Sequence, residues 1–208
     1  MVLDSLLRDG KEGRLYVFHD NNQAIYQQQE LEDALPEGLV PYDLTKNCRN
    51  TDPIHALFTK FYTGEGRVDP PGVAGLPVEM LTFGDQNELE NLLGGLLRRL
   101  VVDQRMSVSD LIVLTPRARA RSFISDEILV GGFKLRRSDV GVPDAVQVST
   151  IHRFKGLERR VTILVELDDE MGSEGESLLY VGLSRAQYHA ICVVRRGSRC
   201  ADLLGVSG

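Results

Sequence analysis

Thr150, His152, Arg153, Lys155, Gly156 and Glu158 crowd into one short stretch, VSTIHRFKGLE (148–158). A hydroxyl, an imidazole, two cations and a carboxylate thus gather hydrogen-bonding and charged groups in one place. Gly156 permits either a sharp turn or a close backbone approach to a ligand. Taken singly, each has an ordinary alternative: a solvated loop charge or a turn glycine before the next strand. Their position favours chemistry, because the stretch begins as an apolar β-run and a second run, VTILVEL (161–167), follows. In open parallel sheets, ligands bind beyond the carboxyl ends of the strands.

The elements that must position these groups are short and apolar. RLYVFHD (14–20), PVEMLTF (77–83), DLIVLTP (110–116), VQVSTI (146–151), RVTILVEL (160–167) and AICVVRR (190–196) read as strands. LVPYDL (39–44) is weakened by Pro41. Helical spacing predicts helices at 52–63, 85–103 and 174–189, the second of them weakened by Gly94 and Gly95. Strands alternating with helices predict an α/β fold, a mostly parallel sheet with helices on both faces.

Net charge is −6 over 208 residues, which argues against a protein living wholly on a polyanion. The basic residues nevertheless concentrate between 117 and 160, at Arg117, Arg119, Arg121, Lys134, Arg136, Arg137, Arg153, Lys155, Arg159 and Arg160. The alternatives are a local basic groove and ordinary solvated surface. Cys48, Cys192 and Cys200 are too few and too scattered for a disulfide framework, so a reducing cytoplasm is expected. Cys192, in an apolar strand, reads as a core thiol rather than a zinc ligand. No apolar run is long enough to span a bilayer.

A phosphate loop needs lysine followed by Ser or Thr. Lys11, Lys46, Lys60, Lys134 and Lys155 precede Glu, Asn, Phe, Leu and Gly, so this sequence contains none. ILVELDDE (163–170) imitates a strand ending in magnesium-binding acids, but without a phosphate loop Asp168, Asp169 and Glu170 read as a solvated turn.

Four segments taken together carry a resemblance: FHDNNQAIYQ (18–27), LTKNCRNTDPIH (44–55), VSTIHRFKGLERRVTIL (148–164) and LLYVGLSRAQYHAICVV (178–194). They resemble motifs III, IV, V and VI of superfamily 1 DNA helicases of the UvrD/Rep type. The likeness runs from about 14 to 196, and the last two segments are the most specific. It implies that residues 31–208 form the second RecA-like domain and that 1–30 are a remnant of the first, with motif III. The absent first domain would supply the phosphate loop and the magnesium acids. ATP and Mg2+ would be shared with it, and single-stranded DNA would be the other partner.

The resemblance also implies roles. Gln23 resembles the motif III glutamine that senses the γ-phosphate, and Tyr26 an aromatic on which a base stacks. Arg49 and Arg185 match the arginines of motifs IV and VI that reach the γ-phosphate, where guanidinium groups stabilise spreading charge. Glu158 resembles the motif V glutamate facing the nucleotide, with Gly156 beside it. Thr150 and His152, helped by Arg153 and Lys155, would contact the single strand. Two departures matter. Cys48 stands where many members have the aromatic that stacks on adenine. The interval between motifs IV and V is also too short for the large accessory insertion, so the match is to a compact variant. Two other classes stay open: a non-catalytic helicase-like module that binds DNA or protein, and an unrelated doubly wound enzyme using 168–170 as metal ligands.

Overall fold

The computed structural model describes residues 40, 45–63, 67–124 and 126–206. Seven strands form one sheet: β1 (Glu79–Phe83), β2 (Leu111–Thr115), β3 (Glu127–Val130), β4 (Phe133–Arg137), β5 (Val146–Thr150), β6 (Arg159–Leu167) and β7 (Ala186–Arg195). Their order is β1-β7-β6-β2-β5-β4-β3. Every pairing is parallel except β3 with β4. The helices are α1 (Asp52–Phe58), α2 (Gln86–Leu97), α3 (Gly175–Leu183) and α4 (Arg199–Leu204). This is the expected α/β sheet. The expected strands at 14–20 and 39–44 lie outside the described residues.

Alternation along the central strands splits the core into two layers. Ile112, Leu114, Leu164, Cys192 and Val194 face α1, α3 and α4. Leu111, Val113, Ile163, Val165, Ile191 and Val193 face α2 and the β3–β4 hairpin. Side chains buried on both faces explain why the strands read as continuous apolar runs. Gly182 in α3 lets the helix sit close to the sheet, since a Cβ there would lie 2.8 Å from Leu164 Cδ2.

Helix ends follow local chemistry. Asp85 caps α2 by accepting from Glu88 N at 2.9 Å, while the Glu88 carboxylate accepts from Gly84 N at 2.7 Å. The expected helix at 85–103 continues past Leu97 as a wider π-helical segment, Arg98–Asp103. The expected helix at 174–189 stops at Leu183, and β7 begins at Ala186. Its physical reason is a side-chain cap: Ser184 Oγ and Arg185 Nε each donate to Val181 O at 2.9 Å, satisfying a carbonyl left without a helical partner.

The β3–β4 hairpin had not been read from the sequence. Gly131 and Gly132, both at positive φ (58° and 86°), make its two-residue turn. That turn rests on α2 where Gly94 lies: a Cβ on Gly94 would be 3.0 Å from Gly131 Cα. Gly94 is therefore a contact point as well as a weak helix former.

Candidate functional site

The stretch 148–158 lies at the carboxyl end of β5. Thr150 closes that strand, and its Oγ1 accepts from Arg153 N at 3.1 Å. Ile151 and Phe154 anchor the turn in the core, leaving His152, Arg153, Lys155 and Gly156 on its outer side. Gly156 has φ 83°, and a Cβ there would meet nothing within 4 Å. Its glycine is required by the turn, not by a crowded approach. His152 lies 3.9 Å from a Glu174 carboxylate oxygen, and Arg153 pairs with Asp139 at 2.5 Å.

Glu158, the residue before β6, gathers a cluster. Arg49 Nε is 2.5 Å from Glu158 Oε2, and Gln187 Nε2 donates to Glu158 Oε1 at 2.6 Å. Both partners of the ion pair are about two-fifths exposed, at 37% and 42%. Arg185 adjoins them: its Nη1 donates to Leu157 O at 3.3 Å and its Nη2 to Ser184 Oγ at 2.7 Å. Arg185 is 0% exposed. It is a packed strut at the end of α3 rather than a projecting finger.

A residue the sequence reading passed over holds the cluster together. Asn50, 5% exposed, donates Nδ2 to Ser184 O at 3.2 Å and to Ala186 O at 2.5 Å. Its Oδ1 accepts from Asn47 Nδ2 at 3.1 Å, and the same Nδ2 lies 3.1 Å from His55 Nδ1. The backbone amide of Arg49 donates to Asn47 Oδ1 at 3.0 Å. The loop carrying Arg49 is thus bolted to the two carbonyls that flank Arg185. An asparagine beside an arginine gives little sequence signal, because its partners lie at the other end of the chain.

His55 is buried, and burial lowers its pKa below the usual 6.5 against an opposing pull from Asp52. Burial lowers that of His189 in the same direction. The unfolded chain takes up protons near pH 6.5 while the folded chain resists them. Stability is therefore complete above that pH and falls as pH drops below it. The urea midpoint at pH 5.5 is expected to lie below that at pH 7.5, and the difference is expected to shrink in His55→Gln.

The basic concentration at 117–160 resolves into matched pairs more than an open groove. Arg117 turns inward to Asp168, with Glu170 3.2 Å away. Arg119 pairs with Asp126, Arg136 with Glu127, Lys134 with Asp144 and Arg160 with Asp110. Arg159 binds Gln147 and lies over the Phe154 ring. The expectation that Asp168 is a solvated turn residue is corrected: it is 5% exposed and held by Arg117, while Asp169 and Glu170 are exposed. A groove of about 490 Å³ remains at the carboxyl ends of β2 and β5. Arg119, Arg121, Arg137 and Arg153 line it, with Ser138, Thr150 and His152. Arg137 donates Nε to Ile124 O at 3.0 Å, while its buried Nη2 meets no protein acceptor among the described residues.

Gln23 and Tyr26 lie outside the described residues, as does the proposed 1–30 segment. Cys48 is an exposed thiol beside Arg49 and offers no ring for stacking. Cys192 is buried in the core, where burial drives its pKa upward, and burial also pushes Cys200 up to about 12. Among the described residues, no group of three or more His, Cys, Asp or Glu side chains is placed to hold a metal ion. No helix among them is long and apolar enough to cross a membrane.

Residues 145–193, from β5 through most of β7, match the family model described as the UvrD-like helicase C-terminal domain. Among solved structures, the chain is similar to the C-terminal domain of a possible DNA helicase from Lactobacillus plantarum WCFS1. The TM-score is 0.57 at 16% identity, covering 77% of this chain and 93% of that one. At that identity the structural likeness speaks for the fold alone. No curated protein matches the chain. The family likeness thus rests on residues 145–193, under a quarter of the chain, and the α/β sheet around them shares its fold with the Lactobacillus plantarum domain.

Proposed function

We propose that this chain is the C-terminal motor domain of an ATP-dependent DNA helicase or translocase. In this reading it supplies Arg49 to a nucleotide held against a first RecA-like domain and contacts single-stranded DNA along the groove above β2 and β5. The observation that carries the reading is the meeting of Arg49, Glu158 and the Arg185 turn at one place, although they come from widely separated segments. Arg49 is partly exposed and carries the charge that phosphoryl oxygens require. Glu158 neutralises it until a nucleotide phosphate takes over. Magnesium would be held by the first domain, since the described residues offer no acidic cluster for it. ATP supplies the free energy, and the part of this chain is to place positive charge and to bind the strand. The hydroxyls of Ser138 and Thr150, with His152, suit a phosphate backbone without base selection.

Arg49→Ala is the test. In a protein joining this chain to a phosphate-loop domain, the substitution is expected to lower ATP turnover by about 10³-fold or more. Folding stability is expected to change little, because a surface ion pair contributes roughly 0–1 kcal/mol. Turnover equal to that of the parent overturns the assignment.

One observation favours the second reading, a non-catalytic helicase-like binding module. Arg185 is wholly buried and satisfied by its own chain. Under that reading, strand binding by the joined protein is indifferent to ATP. Under the first, affinity for the strand changes with the nucleotide bound.

A further inference from the structure

Glu166 is the least expected residue in the sheet. It sits at the carboxyl end of β6, where the register with β7 shifts between Leu164 and Leu167. Its φ is 58°, a region that a long side chain rarely adopts, and it is 2% exposed. A buried carboxylate in strained backbone persists only where its surroundings fix it firmly.

Those surroundings come from one loop, 116–124, and the residue before it. Thr115 Oγ1 donates to Glu166 Oε2 at 2.5 Å, Ser122 Oγ to the same oxygen at 2.8 Å, and Phe123 N to Oε1 at 3.0 Å. Arg117 Nη1 lies 3.7 Å from Oε1, and its other amino group holds Asp168. Thr115 Oγ1 also accepts from Arg117 N at 3.0 Å. The start and the end of the loop thus converge on a single carboxylate. The loop's outer side presents Arg119 and Arg121 to the groove.

We propose that Glu166 is a positioning residue: it holds the 116–124 loop to the sheet and so fixes Arg119 and Arg121 for contact with the backbone of a single-stranded nucleic acid. This rests on reading the groove as the strand site, but the hold on the loop is measurable without any ligand. A carboxylate suits the task because both of its oxygens accept, whereas glutamine offers one accepting oxygen and turns a donating NH2 towards Phe123 N or towards the two hydroxyls.

The test uses the 208-residue chain with Glu166→Gln and the milder Ser122→Ala. Limited trypsin treatment is expected to cut after Arg119 and Arg121 about tenfold faster in Glu166→Gln, with cleavage after Arg105 unchanged, because only the loop opens. Ser122→Ala is expected to shift cleavage in the same direction by less. Fluorescent oligo-dT titrated over a range of salt gives the second readout. Each phosphate contact on a single strand contributes about 0.7 to the slope of log affinity against log salt, so losing two flattens it by about 1.4. A merely structural role would lower the denaturation midpoint and leave that slope alone. Parental cleavage in both variants overturns the proposal, and so does faster cleavage with an unaltered slope. Should Glu166→Gln fail to fold, Ser122→Ala decides by the same two readouts. A parent chain that ignores oligo-dT at low salt removes the strand reading of the groove and with it the second half of the proposal. Faster loop cleavage in that case still upholds the hold by Glu166.

Discussion

Arg185→Ala is expected to destabilise this chain by on the order of 3–5 kcal/mol, measured as a lowered midpoint in urea. The guanidinium donates to Val181 O, Leu157 O and Ser184 Oγ, and the side chain is entirely enclosed. Alanine removes all three donated bonds, leaving Val181 O with Ser184 Oγ alone, and opens a cavity where the stem was packed. A loss of that size is a large part of the 5–15 kcal/mol by which a typical domain is stable. The resemblance alone predicts an alanine variant that folds normally and fails only in ATP turnover, and the burial of Arg185 corrects that expectation. In a joined protein, turnover will be lost in Arg185→Ala, but the loss will not identify a chemical role. Arg185→Lys separates the two effects. It keeps a charge and a long stem while losing the planar fork. Recovery of the midpoint without recovery of turnover points to the phosphate, and joint recovery of both points to the scaffold.

The second large effect is expected where two backbones touch. Gly131→Val should cost about 3 kcal/mol or more. The φ of 58° charges a Cβ-bearing residue roughly 1–2 kcal/mol, and that Cβ would stand 2.7 Å from Gly94 Cα. Backbone cannot swing aside as a flexible side chain does, so the hairpin must lift from α2. Two substitutions in α2 sharpen the test. Gly94→Ala is expected to destabilise, since its Cβ would lie 3.0 Å from Gly131 Cα. Gly95→Ala points into open space and is expected to stabilise by about 0.5–1 kcal/mol through helix propensity. Equal responses at the two neighbouring glycines would show that the helix, and not the hairpin contact, sets their cost.

The central strands could be read from the sequence because burial on both faces makes their signal continuous, as in LIVLT (111–115) and VTILVEL (161–167). The hairpin escaped because β3 is the edge strand and β4 lies next to it, where half-exposed residues such as Lys134 and Arg136 interrupt the apolar pattern. Its Gly131-Gly132 turn was the available signal. The helix expected at 174–189 ran too far because QYHA (187–190) has no breaker, and only the folded Arg185 side chain shows where it must stop. Arg49 and Glu158 were singled out from local motifs, and the fold brings them into contact. Asn50 and Glu166 escaped notice because their importance lies in partners remote along the chain. Charge clustering in the sequence overstated the groove: acids such as Asp126, Asp139 and Asp144 interleave with the arginines and pair with them in space.

The sheet order has a consequence for how the chain is made. Among the described strands, β1 pairs only with β7, the last to be synthesised. While the ribosome delivers β2 to β6, β1 has no strand beside it, and its hydrogen-bonding edges stay open to chance pairing with other nascent chains. Completion of the sheet waits for the C-terminal segment, so a chain halted before β7 would carry an orphaned first strand and expose the flank of β6.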